Sequence, residues 1–140
     1  MGSIYIPAGL RHTVEKRADR RCEYCLIPDA VSFASHEVDH IIARKHRGHT
    51  HENNLALSCV LCNKHKGSDI ASIDSETGAI EPLYHPRHDH WSDHFILRDA
   101  YIIPQTPTGR VTVQLLQLNN PDRVAERTFL IVGGFYVVPD

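Results

Sequence analysis

Between residues 10 and 21 the apolar positions Leu10, Val14 and Ala18 recur every fourth residue, while Arg11, Lys16, Arg17, Arg20 and Arg21 fill most other positions. This spacing predicts an amphipathic helix ending at Cys22. Pro28-Asp29 marks a turn, and residues 31–42 are rich enough in β-branched and aromatic side chains to predict a strand carrying Asp39 and His40 near its end. Residues 43–53 are polar, contain Gly48 and have no hydrophobic period, so they read as a loop before a short return strand at 55–58. A short helix is expected over 60–66, stopped by Gly67. The resulting order is strand, loop, strand, helix.

Past Ser68 the pattern changes. An acidic loop turns at Glu76-Thr77-Gly78, and within residues 85–94 Trp91 stands four positions before Phe95, the spacing of a short helix docked on a core. Residues 95–103 predict a strand, which Pro104, Pro107 and Gly109 break; residues 112–118 fit a strand or a short helix. Segments 128–132 and 135–138 flank Gly133-Gly134, a pair suited to a hairpin turn. The apolar tail 129–138 is therefore expected to be an exposed strand able to dock a second copy or a partner protein.

With 140 residues, 41% of them hydrophobic, the chain suffices for one compact unit, divided near residue 68 into segments 1–68 and 69–140. No apolar run approaches the roughly 20 residues of a membrane helix, and nothing resembles a signal peptide, so a soluble, cytoplasmic protein without a membrane partner is expected. The net charge of -2 hides an asymmetry: residues 1–68 hold ten Lys/Arg against seven Asp/Glu, and residues 69–140 hold five against ten. The positive half contains most of the candidate chemistry, although charge alone does not establish a nucleic-acid partner.

All four cysteines fall in two Cys-x-x-Cys pairs, Cys22/Cys25 and Cys59/Cys62. Two such pairs supply four sulfur ligands to a tetrahedral zinc ion, and a site closed by four protein ligands is structural, with no position for a catalytic water. Two disulfides or a thioredoxin-like redox pair are the rival readings; the first lacks a secretory context and the second a preceding apolar strand. The chemistry must lie elsewhere. Hydrolysis of a phosphodiester needs a base near neutrality and a hard divalent cation, and His40, Asp39 and Asn63 offer an imidazole, a carboxylate and an amide oxygen.

Asp39-His40, Asn54-Leu55 and Asn63 directly after Cys59-x-x-Cys62 together resemble the HNH endonuclease family, over about residues 20–68. The resemblance implies an α+β protein with a zinc-stapled ββα-metal (His-Me finger) core, an N-terminal helix and a mixed C-terminal extension. It implies His40 as general base, Asp39 and Asn63 as ligands of one catalytic Mg²⁺ or Mn²⁺, and Asn54 as the residue that pins the inter-strand loop. DNA is the first choice of nucleic-acid substrate, cut to 5′-phosphate and 3′-hydroxyl ends. Lys66, Lys64, Arg44, Lys45 and Arg47 are the expected phosphate contacts, Lys66 first among them. Leu83, Pro86, Arg87, Trp91, His94 and Phe95, followed by Thr106, Gly109 and Arg110, are similar to the extension of small bacterial HNH proteins. The alternatives are a zinc-held nucleic-acid-binding module that does not cut, and a nuclease active only with a partner protein.

Overall fold

The computed structural model describes residues 5–138, so residues 1–4 and 139–140, at the outer ends of the two segments, lie outside the described residues. Helix α1 (Ala8–Arg17) places Val14 against Leu55 and Leu57, in a small apolar cluster completed by Ile6 and flanked by Leu10, Ala18 and Val38. It stops four residues short of the expected end. Asp19 and Arg20 take positive φ, and the reversed chain bridges Arg21 to Pro28 around the first cysteine pair.

The expected strand at 31–42 contracts to β1 (Glu37–His40). Local side-chain bonds divert the residues before it: Ser32 Oγ donates to Pro28 O at 2.8 Å, and the Asp29 carboxylate accepts the His36 N–H at 2.7 Å. Such bonds offer the backbone an alternative to a ladder, and here they win over β-propensity. Strand β1 pairs antiparallel with β2 (Leu55–Ser58), placing His40 opposite Leu55 and Asp39 opposite Ala56. Helix α2 (Val60–Lys66) follows at once, its N-terminus capped by Cys59 and its end marked by Gly67 at φ 52°. These three elements form a ββα unit.

Beyond it, among the described residues, lie two further hairpins and three helices. Strands β3 (Ala71–Ile73) and β4 (Ile80–Pro82) flank the expected turn at 76–78, which is tied from within by Asp74: its carboxylate accepts from Glu76 N and Thr77 Oγ1. After α3 (Trp91–His94) the expected single strand is a hairpin, β5 (Phe95–Arg98) and β6 (Tyr101–Pro104), reversed at Asp99 and Ala100, both with positive φ. Asp-Ala is a weak signal for such a turn, which favours Asn-Gly or Asp-Gly. Helix α4 (Pro107–Leu115) starts on a Thr106 cap and resolves the ambiguous stretch 112–118 in favour of helix.

The hairpin expected around Gly133-Gly134 does not form. Helix α5 (Pro121–Val132) runs through residues 128–132, so the tail is no docking strand. The Asn120-Pro121-Asp122 start supplies a cap and a proline at the first helical turn, and the glycine pair ends the helix, with Gly134 at φ 79°. The main apolar cluster takes all four cysteines, Tyr24 and Ile41 from before residue 68 and Trp91, Phe95, Ile102, Val111, Leu116 and Leu130 from after it. The mixture of helices and small antiparallel sheets makes the fold α+β. No helix among the described residues is long and apolar enough to cross a membrane.

Asp74 is buried, and Arg110 of α4 grips both its oxygens, Nε to Oδ1 at 3.0 Å and Nη2 to Oδ2 at 2.7 Å. The guanidinium holds the Asp74 carboxyl down to about 2. A depressed carboxylate contributes stability that is complete above its unfolded pKa, about 3.9, and is lost as pH falls through the folded value. Asp74→Asn is therefore expected to lower stability at neutral pH and to flatten the acid side of a urea-midpoint profile between roughly pH 4 and 2. An acid limb identical to that of the wild type would contradict this assignment.

Candidate active site and cysteine cluster

One ligand atom from each of Cys22, Cys25, Cys59 and Cys62 lies within 4.8 Å of the others, and all four residues are buried. The Sγ atoms of Cys25 and Cys59 are 3.7 Å apart, close to the ~3.8 Å edge of a sulfur tetrahedron with metal–sulfur bonds near 2.3 Å. Each pair is wrapped so that a backbone N–H points at a sulfur: Cys25 N to Cys22 Sγ at 3.5 Å, and Cys62 N to Cys59 Sγ at 3.4 Å. All four cysteines are free of disulfides. Burial pushes the Cys22 and Cys62 thiols up, whereas hydrogen bonding from the neighbouring cysteines, Cys22 first, pulls the Cys25 thiol down. The donor set and spacing fit a tetrahedral metal ion. Among the described residues this is the one group of three or more His, Cys, Asp or Glu side chains that could hold a metal.

The second constellation lies where β1 meets α2. Alternate residues of a strand share a face, and residues three apart share a helix face, so Glu37 and Asp39 stand opposite Asn63 and Lys66. The Asn63 amide donates to Glu37 Oε1 at 3.0 Å, and Lys66 Nζ donates to Asp39 Oδ2 at 3.0 Å. Asp39 Oδ1 accepts no hydrogen bond among the described residues. Burial lifts the Asp39 carboxyl above its ordinary value, against the pull of Lys66. Asp39 and Asn63 are thus brought to the same interface, each on a different partner.

His40 points the other way along β1. It is 9% exposed, and its Nε2 lies 2.8 Å from Thr50 Oγ1, which leaves Nδ1 without a protein partner among the described residues. Burial pushes the imidazole below 6.5, opposed by Asp39. The loop that delivers Thr50 is pinned by Asn54, whose amide donates to Ile42 O and His49 O at 2.9 Å and whose Oδ1 accepts from Ile42 N at 2.9 Å. Gly48 lies against this crossing, where a Cβ would collide with the Ile42 carbonyl.

The five basic residues expected to meet phosphate divide. Arg44, Lys45 and Arg47 are exposed on the loop after His40, and Lys64 is exposed on α2. Lys66 is not a surface cation: its side chain is 3% exposed, and its ammonium is shared between Asp39, the His40 carbonyl at 3.2 Å and the Gly67 carbonyl at 3.4 Å. The signal was its position three residues after Asn63, which turns it onto the face packed against β1.

Among the histidines of 85–94, His85 and His88 stack at 3.9 Å, and His94 Nδ1 meets Thr106 Oγ1 at 2.6 Å. Trp91 and Phe95 are buried, and Trp91 Nε1 donates to Tyr24 O at 2.9 Å. Arg87 pairs with Glu23, whose other oxygen accepts from Leu57 N at 2.8 Å, and so ties the extension to the ββα unit. Sequence reasoning missed three residues near these sites. Thr50 is an ordinary loop hydroxyl until the fold places it on His40. Arg123 Nη2 donates to Cys62 Sγ at 3.0 Å, and the Tyr136 hydroxyl donates to the Cys25 carbonyl. The last two are more than 60 residues from the atoms they touch, and no local pattern announces them.

A ββα unit with four clustered cysteines, a histidine at the end of its first strand and a loop asparagine is the arrangement of HNH nuclease domains, and residues 22–69 match the family model described as HNH endonuclease. This stretch of the chain is an HNH domain. The chain is also 33% identical over 72 residues to the CRISPR-associated endonuclease Cas9 of Corynebacterium diphtheriae, a match covering 51% of this chain and 6% of that protein. The chain therefore spans a small fraction of that relative's length. No solved structure matches.

Proposed function

We propose that this protein is a metal-dependent endonuclease that hydrolyses DNA phosphodiester bonds, with His40 as general base. One observation carries the reading: at the end of β1 a histidine with an unengaged Nδ1 stands next to a shielded carboxylate with an unengaged oxygen. Thr50 holds the imidazole by Nε2, so that Nδ1 is the nitrogen that accepts the proton of an attacking water. Asn54 braces the loop and keeps that orientation. Asp39 and the Asn63 amide oxygen are hard donors suited to Mg²⁺ or Mn²⁺. When bound, the cation would neutralise the charge developing on the phosphate and on the departing 3′ oxygen. Arg44, Lys45, Arg47 and Lys64 supply phosphate contacts around this point. The cysteine cluster holds zinc, which ties the turn at Cys22–Cys25 to the start of α2 and takes no part in the chemistry.

Supercoiled plasmid incubated with the full chain and Mg²⁺ or Mn²⁺ is expected to be nicked or linearised, and EDTA should stop the reaction. Asp39→Asn should reduce the rate by roughly two orders of magnitude or more, the range for loss of a group that stabilises transition-state charge. DNA that is retarded in a gel but never cut, under any metal, would favour a binding module or a nuclease that waits for a partner protein.

A further inference from the structure

Helix α5 buries two arginines four residues apart, Arg123 and Arg127, at 7% and 2% exposure. Buried guanidinium groups ordinarily sit on carboxylates, because an unpaired charge out of water is strongly disfavoured. Neither of these has a carboxylate within ion-pair distance among the described residues, although Asp122 and Glu126 are close by on the same helix and remain exposed. Arg123 instead donates to Cys62 Sγ at 3.0 Å, approaches Cys59 Sγ at 3.7 Å, and spends its other nitrogen on the carbonyls of Leu116 and Gln117. Arg127 is tied to the carbonyls of Ala100 and Leu118 and to Asn119 Oδ1. Carbonyl oxygens satisfy the donors and leave the two positive charges unbalanced.

A divalent metal held by four thiolates carries two net negative charges. We propose that Arg123 and Arg127 are the counter-charge of such a centre at Cys22, Cys25, Cys59 and Cys62, so that loading the metal and seating α5 are one coupled equilibrium. The charges balance only when the metal is present. With four neutral thiols, α5 would press two uncompensated cations into the core; with the tetrathiolate in place, it brings the cations that the centre needs. The neighbouring contacts serve the same seating. The Tyr136 hydroxyl just after α5 donates to the Cys25 carbonyl, and one cavity of about 290 Å³ is lined by Cys25 and Cys59 together with Arg123 and Arg127. Through Arg123, α5 packs directly against the sulfurs. This inference rests on the four-cysteine site alone and stands whether or not the protein cuts DNA.

Coupling of this kind is reciprocal, so weakening the counter-charge must weaken the metal. The test is titration of the full chain with Co²⁺ against a competing chelator, reading both affinity and the sulfur-to-cobalt charge-transfer band. R123M is expected to bind roughly ten- to hundredfold more weakly, the range for loss of a residue supporting a metal ligand. Its band should move to longer wavelength, because sulfur relieved of a hydrogen bond and a nearby positive charge gives up an electron more easily. R123K, which keeps the charge and loses the fork, should fall between the two. R127M, whose guanidinium touches no sulfur, should weaken the metal to a smaller degree. A folded R123M with wild-type affinity and an unmoved band would reduce Arg123 to a packing residue and overturn the proposal. Should R123M fail to fold, R127M decides: unchanged metal affinity there is equally fatal to a counter-charge role.

Discussion

His40→Ala is expected to lower the rate of plasmid cleavage by about two to four orders of magnitude, the contribution of a positioned general base, while leaving the fold intact. The two halves of this expectation rest on different contacts. Among the described residues His40 makes one side-chain hydrogen bond, to Thr50, and its carbonyl, which the substitution preserves, is what Lys66 uses. Far-UV circular dichroism and the melting temperature should therefore change little. Activity that survives in the variant would move the base elsewhere. The wild type carries a companion signature. Because burial lowers the imidazole below 6.5, the base is neutral through pH 7, and the acid limb of cleavage should fall below that value. A limb centred above pH ~7 would point to a different titrating group.

Cys22→Ser should have the largest effect on the molecule itself. The four cysteines belong to the main apolar cluster, together with Ala56 of β2 and residues of the extension from Leu83 to Tyr136. Structural zinc in small domains contributes on the order of 10 kcal/mol of apparent binding energy at neutral pH, comparable to the whole stability of a domain this size. Losing one thiolate is expected to abolish cooperative thermal unfolding and to reduce bound zinc, measured by atomic absorption, well below one equivalent. Chelation of the wild type should reproduce the melt, and zinc should restore it. A variant that melts cooperatively near the wild-type temperature would mean that the cluster does not organise the fold.

How far these features could be read from the chain depends on the range over which each is encoded. The β2 strand, α2 with its glycine stop, and the cysteine pairs are encoded within a few residues, and they stand where the pattern placed them. Residues 31–36 misled because Asp29 and Ser32 compete for the backbone, a tertiary-independent effect that β-propensity does not weigh. Residues 128–132 misled because a short apolar run before two glycines fits a strand edge and a helix end equally well; the deciding signal lay eight residues upstream, in Asn120-Pro121. The site shows the same division. Asp39, His40, Asn54 and Asn63 are spaced by the family pattern, whereas Thr50 and Arg123 acquire their contacts only through chain reversal and long-range docking. Lys66 was legible as important and illegible in direction.

If Asp39 holds the catalytic cation as proposed, the Lys66–Asp39 pair also bears on how the protein responds to its ionic surroundings. An ammonium tethered to the same molecule competes at an effective concentration in the millimolar range or higher, whatever is dissolved outside. Any cation that comes to Asp39 enters against this resident rival, so occupancy should rise over the range where the two compete and stay low in dilute metal. Under the proposed reading, Lys66 keeps Oδ2 while Oδ1 stays open, so a divalent cation would share the carboxylate with the ammonium, and the site would fill only where that cation is abundant.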